Sequence, residues 1–373
     1  MLSVLHIGKY YPPEPGGMER VVHTLCRVAR DRLESRVLAF SRGSSTIEEI
    51  VEGVRVTRVA TLGQVGSVPV APGFAGHLRR ARADVMILHE PNPWALLSLA
   101  LARPRIPMAV WFHSDVIRPR LQYRAFYAPL ARPAYDRATR IVVSSPALGE
   151  ASAALTRYRD RIAVIPFGID ARAWEEDDAT RTRAAGLRAA AGRPIVLFLG
   201  RLVPYKGVDV LLAAAAPLAV RVVIAGDGPM AESWKRKAAA TADRADVEFT
   251  GPLTDGEVKA RLHAADVLVL PSITSAEAFG VVQLEAMASG KPVVSTSVAS
   301  GVPWVNRDGE TGLVVPPGDA VSLRRALERL LDDAALRARC GAAGLVRVRS
   351  EFSLTALADR LVALCETVAG PRP

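Results

Sequence analysis

Short uninterrupted runs of Val, Ile and Leu recur along the chain. Between them lie longer stretches in which apolar residues return every three or four positions. The runs predict strands over 2–7, 35–39, 54–59, 85–88, 108–112, 141–144 and 162–165, and again over 195–199, 221–225, 247–250, 267–270, 292–295 and 312–315. The helical period predicts helices over 17–30, 94–102, 208–215, 230–241, 255–265, 280–288, 320–332 and 334–349, with an amphipathic helix over 351–368. Strands that are apolar throughout belong in sheets covered on both faces. Their alternation with helices makes the sheets parallel and the fold class α/β.

There are two such series, each over 130 residues. A chain of 373 residues is long for one core and comfortable for two. Two doubly wound, Rossmann-like domains are therefore expected. The break falls between 168 and 193, where Ile165-Pro-Phe-Gly-Ile-Asp170 closes the first series and an acidic stretch over 175–178 follows. The predicted domains are 1–170 and 171–350, with a C-terminal segment over 351–373.

No apolar run reaches the roughly 18 residues of a membrane span. The start of the chain has no basic n-region or cleavage site and reads as a strand, so a cytoplasmic location is expected. Cys26, Cys340 and Cys365 are odd in number and far apart, which argues against a disulfide framework and for three buried thiols.

The formal net charge is +10, and it is unevenly spread. Residues 1–170 hold 23 Lys and Arg against 14 Asp and Glu, a net of +9. The first half should therefore meet something anionic. Arg118, Arg120, Arg124, Arg132, Arg137 and Arg140 cluster there, with Tyr123, Phe126, Tyr127 and Leu130 interleaved at helical spacing. That pattern reads either as a membrane-surface element at the inner face of the plasma membrane or as a solvated Arg-rich face. No nucleic-acid-binding motif accompanies it.

Two segments carry candidate chemistry. Gly200-Arg-Leu-Val-Pro-Tyr-Lys-Gly207 follows a predicted strand, so Arg201 and Lys206 share a loop at the carboxyl end of a parallel strand, where open α/β sheets bind ligands. Two cations there suit a diphosphate, with the guanidinium binding bidentately and the ammonium as a point charge. Spacing alone equally allows two solvated loop cations. The second segment runs from Ser275 to Pro292. It carries Glu277 just before a helix opened by Gly280, and Glu285 inside that helix. A carboxylate can accept from two adjacent hydroxyls, so both acids are candidate sugar or ribose ligands. A capping acid and a solvated helix acid are the plainer alternative.

The order and spacing of Gly-Arg-x4-Lys-Gly, Gly226-Asp-Gly-Pro, Glu277-x7-Glu285 with Phe279-Gly280, and Gly290-Lys-Pro-Val-Val resemble the group 1 (family 4) retaining glycosyltransferases of the GT-B fold. Gly16-Gly17 and His113 add a weaker match in the first half. The resemblance implies two facing Rossmann-like domains with an interdomain cleft, the N-terminal one binding acceptor and the C-terminal one binding a nucleotide sugar. The last helix would cross back to the first domain.

By the same resemblance, Arg201 and Lys206 neutralise the donor diphosphate. Glu277, with the backbone of Phe279, Gly280 and Val281, holds the donor sugar, and Glu285 holds the ribose. Gly16 and Gly17 bring backbone N–H groups to the diphosphate, and His113 stands near the anomeric carbon or the acceptor. His113, Arg201, Lys206 and Glu277 are the implied catalytic set. No cofactor is implied beyond the sugar nucleotide itself, and no metal, since the chain contains no Asp-x-Asp.

The run Val302-Pro-Trp-Val-Asn306 is similar to bacterial mannosyl- and rhamnosyltransferases of surface-polysaccharide synthesis. GDP-mannose is thus the first expected donor and a lipid-linked or oligosaccharide acceptor the first expected partner. The alternatives are a UDP- or dTDP-sugar transferase acting on a small glycoside or natural product, and a non-catalytic nucleotide-sugar-binding scaffold. A rival signal is Gly226-x-Gly228-x-x-Ala231 with Glu248 about 20 residues on, which has the form of a dinucleotide fingerprint. Pro229 weakens it by removing one N–H from the helix start.

Overall fold

The computed structural model describes residues 1–14, 16–114, 127–241 and 243–371. The chain divides into two units: residues 1–167 together with 354–373, and residues 168–353.

Unit 1 is built on an eight-stranded sheet. Its strands are β1 (Leu2–Ile7), β2 (Leu33–Phe40), β3 (Ile47–Val51), β4 (Val54–Val59), β7 (Val85–Glu90), β8 (Met108–Phe112), β9 (Arg140–Val143) and β10 (Ile162–Val164), in the order β10-β9-β8-β7-β1-β2-β4-β3. All neighbours pair in parallel except β3, an antiparallel edge strand on β4. A separate ribbon joins β5 (Gly63–Val65) and β6 (Val68–Val70). No apolar run marks β3, β5 or β6: β3 is interrupted by Glu48 and Glu49 and largely exposed, β5 is exposed throughout, and β6 is three residues with a central proline.

The helices of unit 1 are α1 (Gly17–Val28), α2 (Phe74–Arg80), α3 (Pro93–Ala102), α4 (Ala128–Arg137), α5 (Pro146–Ala151) and, from the end of the chain, α14 (Leu354–Ala369). One face of the sheet packs Phe40, Phe74, Leu88, Leu96, Val110 and Tyr135. On the other face Leu361, Leu364 and Cys365 of α14 pack against Val4, Leu25, Ile87 and Trp111. The final helix therefore completes the first unit's core.

Unit 2 has a six-stranded, wholly parallel sheet. It consists of β11 (Ile195–Leu199), β12 (Arg221–Ala225), β13 (Asp246–Gly251), β14 (Val267–Leu270), β15 (Val293–Thr296) and β16 (Gly312–Val315), ordered β13-β12-β11-β14-β15-β16. Its helices are α6 (Asp178–Ala191), α7 (Val208–Ala215), α8 (Ala231–Thr241), α9 (Asp255–Ala264), α10 (Val282–Ala288), α11 (Val302–Val305), α12 (Ala320–Asp332) and α13 (Ala334–Glu351).

Helix α6 lies where the sequence predicts a polar boundary segment. The Asp177 carboxylate caps it by accepting from Thr180 N, and Gly192 ends it at φ 59. Its buried side, Thr180 and Ala184, is made of small residues, which periodicity of large apolar residues does not detect. The three cysteines are free and buried.

Asn306 ties the end of this sheet together. Its amide donates to Val293 O, Ser295 Oγ and Leu313 O at 3.1, 2.9 and 3.1 Å, and its Oδ1 accepts from Thr311 Oγ1 at 2.9 Å. All of this is buried, so Asn306→Leu would leave several polar groups without partners. We expect a loss of about 2–3 kcal/mol in urea unfolding; a change under about 0.5 kcal/mol would mean that β15 and β16 do not depend on it.

Candidate functional site

In unit 2 the chain runs from β11 outward to β12 and β13 on one side and to β14 on the other. The strand order reverses between β11 and β14, and open α/β sheets bind ligands at that switch point. The loop after β11 is 200–207 and the loop after β14 is 271–281. A hydrogen bond from Ile273 N to Tyr205 O, 2.8 Å, joins them. Gly207 has φ +64, and a Cβ there would stand 2.1 Å from Pro271 O. Only glycine satisfies both the left-handed backbone and this approach.

The two loops bring Lys206 and Glu277 together. Lys206 Nζ lies 2.5 Å from Glu277 Oε2, and each residue is only 8% exposed. Ser272 Oγ donates to the same carboxylate oxygen at 3.1 Å. Arg201 is exposed, with no ion-pair or hydrogen-bond partner for its side chain among the described residues. It acts on Tyr205, whose hydroxyl is held above its ordinary pKa by burial first and by the Glu277 charge second, with Arg201 opposing both. The Arg201 guanidinium and the Glu277 carboxylate thus act on one tyrosine in opposite senses, and that carboxylate is paired with the Lys206 ammonium.

Gly280 does not itself open a helix. It stands at φ +71, two residues before α10, and a Cβ would come within 2.5 Å of Leu270 Cδ2. Phe279 is buried against Trp304 and Phe352, and its carbonyl accepts from Gln283 Nε2 at 2.9 Å. Val281 is exposed, and Glu285 is half-buried in the first turn of α10.

In unit 1 the order reverses between β1 and β7. Beyond β1, Arg42 covers the Tyr10 ring at 4.6 Å and donates to Glu14. Lys9 is held below its ordinary pKa by burial, with Glu19 opposing. The Glu19 side chain folds back over Gly16, where a Cβ would meet its Oε2 at 1.9 Å. A Cβ on Gly17 would meet nothing within 4 Å.

His113 follows β8 and is the end of a row of three rings. His6 Nδ1 faces His89 Nε2 at 3.1 Å, and His89 Nδ1 faces His113 Nε2 at 3.0 Å. Ring centroids are 5.4 and 5.3 Å apart, and Phe167 stacks beyond His113. Next to this row Glu90 is fully buried. Its carboxyl accepts from Tyr127 Oη and, at 3.2 Å, from Asn92 N. Burial pushes it up to about 8, against the pull of those two donors.

The chain matches the family model "Glycosyl transferases group 1" over residues 181–346 and the model "Glycosyltransferase Family 4" over residues 15–173. It is 30% identical to O-antigen chain mannosyltransferase C of Escherichia coli over 98% of this chain and 99% of that protein. It is 32% identical to D-rhamnosyltransferase WbpZ of Pseudomonas aeruginosa over 94% and 92%. Its fold matches the solved structure of Anabaena Alr3699/HepE in complex with UDP-glucose, with a TM-score of 0.77 at 20% identity over 97% and 99% of the two chains. The chain belongs to the group 1 glycosyltransferases.

This glycosyltransferase has the GT-B fold class, with two Rossmann-like α/β units. The second unit gathers Arg201, Lys206, Glu277 and Gly280 on two adjoining loops, while Gly16, Gly17 and His113 lie in the first. The Gly226-Asp-Gly228 stretch serves packing. A Cβ on Gly226 would meet Gly200 O at 2.0 Å, and one on Gly228 would meet Leu202 O at 2.4 Å. Glu248, the acid that a dinucleotide fingerprint would need, is instead paired with Arg221 and Arg261 at 2.9 and 2.7 Å. Lys291 of the Gly-Lys-Pro motif donates to His263 O at 2.8 Å, fastening the end of α9.

Of the basic stretch, Arg118, Arg120, Tyr123, Arg124 and Phe126 lie outside the described residues. Tyr127 and Leu130 turn inward onto the unit 1 core, and Arg137 donates to Ile106 O at 2.7 Å. Tyr127 and Leu130 therefore do not belong to an outward membrane-facing stripe, whereas Arg137 is exposed. No helix among the described residues is long and apolar enough to cross a membrane. The sequence pattern assigns no role to His6, His89, Glu90 or Ser272, and it places Tyr127 only among the aromatics of the basic stretch. The available signal was the placing of His6 and His89 at the carboxyl ends of two apolar strands, where a polar side chain is out of pattern.

Proposed function

We propose that this enzyme transfers a hexose from a nucleotide diphosphate sugar, GDP-mannose first, to a lipid-linked or oligosaccharide acceptor in cell-envelope polysaccharide synthesis. Transfer proceeds with retention at the anomeric carbon and without a metal ion. The observation that carries this reading is the buried Lys206–Glu277 contact between the two switch-point loops, with Arg201 on the same loop as Lys206 and its side chain unpaired among the described residues. The name of the E. coli relative supports mannose and the pathway class, that of the P. aeruginosa relative supports glycosyl transfer with a different sugar, rhamnose, and the UDP-glucose in the Anabaena structure supports a nucleotide sugar.

As the glycosidic C–O bond breaks, negative charge grows on the departing diphosphate. Arg201 and Lys206 stabilise that charge in a partly dry site, where such stabilisation is the largest catalytic contribution. Their two positive charges do the work otherwise given to a metal ion. Glu277 serves two ends: it holds Lys206 in place before the donor arrives and grips donor-sugar hydroxyls once it is bound. The backbone at Phe279, Gly280 and Val281 assists it, and Glu285 takes the ribose. Gly16 and Gly17 offer backbone N–H groups to the diphosphate. The open space at Gly17 supports that role, since no neighbour among the described residues requires a glycine there. His113 contacts the reacting sugar.

A thermal-shift panel of GDP-, UDP- and dTDP-sugars, followed by turnover with membrane extract, tests this. A ligand at a hundred times its Kd stabilises by about 2.7 kcal/mol. GDP-mannose should give the largest shift. A larger one with a UDP- or dTDP-sugar moves the assignment to the alternative donor class, acting on a small glycoside or natural product. Binding without turnover of any donor would make the chain a non-catalytic sugar-nucleotide protein. The excess positive charge of the first 170 residues supports peripheral contact of unit 1 with anionic membrane. Salt-sensitive binding to phosphatidylserine vesicles, weakened by Arg120→Gln with Arg124→Gln, is the expected result; no vesicle binding by the parent protein would remove the idea.

A further inference from the structure

A neutral imidazole has one N–H and one bare nitrogen. The middle ring of the histidine row, His89, uses both of its nitrogens, facing His6 Nδ1 at 3.1 Å and His113 Nε2 at 3.0 Å. Each contact needs one proton. With one proton per ring, only two arrangements satisfy both contacts. In the first, every ring carries its proton on Nδ1: His6 donates to His89, His89 donates to His113, and His113 presents an N–H at its remaining nitrogen. In the second, every ring is protonated on Nε2, each donation reverses, and His113 presents a bare acceptor. What His113 offers outward is therefore set two rings inward.

The inner end separates the two arrangements. His6 is fully buried, and its Nε2 has no partner among the described residues. The second arrangement would leave an N–H there with nothing to accept it, whereas the first leaves only a lone pair. Orphaned buried N–H groups are the rarer of the two. Trp111 stacks against both His89 and His113 and already buries its indole N–H without a partner. A second unpaired donor in the same layer would add to that cost.

We propose that His6 and His89 are positioning residues that hold His113 in its Nδ1–H tautomer, so that His113 donates a hydrogen bond to a sugar oxygen. This rests on the placing of His113 at the reacting sugar proposed above. Burial holds all three rings neutral, with His6 down to about 4, His113 down to about 3, and His89 also well below its ordinary value. The row thus keeps its two-state logic at neutral pH. A free neutral histidine in water favours Nε2–H, so three successive Nδ1–H rings are not the default.

The full chain labelled with 15N-histidine, free of substrate, reads this directly, because protonated and bare ring nitrogens resonate far apart. Protons on Nδ1 of His6, His89 and His113 are expected; a proton on Nε2 of His113 overturns the proposal whether or not any variant folds. His6→Phe should release His113 to Nε2–H and lower kcat about tenfold, the scale of one neutral hydrogen bond, with KM little changed. His6→Asn, whose amide N–H stands near the former Nδ1, should restore both the tautomer and most of kcat. Loss of kcat in His6→Phe with the His113 tautomer unchanged would also overturn it. The resonances need no substrate, so they stand apart from the glycosyltransferase reading, which the donor panel tests.

Discussion

Arg201→Ala and Lys206→Ala are each expected to lower turnover by about two to three orders of magnitude, the scale of removing one preorganised charge from a transition state. The two should differ in stability. Arg201 is exposed and its side chain is unpaired among the described residues, so its loss should leave the thermal midpoint where it was. Lys206 is the buried partner of Glu277 at 2.5 Å. Truncating it strands a carboxylate beside Ser272, and breaking such a pair costs about 3–5 kcal/mol. Kinetics and urea unfolding on both variants separate catalysis from folding. If Arg201→Ala loses less than threefold in turnover at an unchanged midpoint, the diphosphate assignment is wrong.

The contribution of Glu90 to stability should fall as pH rises from about 5 to 8, against the opposite, lower-pH effect of the buried neutral histidines. Its folded pKa, about 8, is raised above the ordinary 4.5. Between those values the folded protein keeps a proton that the unfolded chain releases. The stabilisation is therefore complete below about 4.5, is lost progressively up to about 8, and changes no further above that. At about 1.4 kcal/mol per unit the span is on the order of 4 to 5 kcal/mol. Glu90→Gln has no charge to desolvate and can still meet Tyr127 and Asn92. Urea unfolding of parent and variant at pH 5, 6.5 and 8 should show the difference between them growing in the variant's favour, largest at pH 8. Parallel profiles would mean that Glu90 is ionised in the folded state.

Much of the fold was legible because its signals are local. The strands β1, β4, β8, β11, β12, β14 and β16 span the residues that the apolar runs predict. Among the elements that escaped, β3, the β5–β6 ribbon and α6 have partial burial or an inner face of small residues, while α2 buries Phe74 and Leu78 but is only seven residues long, too short to show a helical period. Helix α10 starts two residues later than its apolar pattern, because the chain at Gly280 must first pass through φ +71. The alternating series also places Arg201 and Lys206 on a loop at the carboxyl end of a parallel strand, and the structure has that loop directly after β11.

The sequence by itself determined the α/β class, the two sheets, and the family, through motifs whose order and spacing survive without any knowledge of contacts. Only the tertiary structure decided which of those residues meet. Lys206 finds Glu277 because β11 and β14 are neighbours, and His6 finds His89 because β1 and β7 are. Strand order is set by how crossovers and packed faces exclude one another across the whole sheet, and no local period encodes it. The buried proton on Glu90 has the same origin: a carboxylic acid stays neutral at pH 7 only after residues far along the chain have closed water away from it.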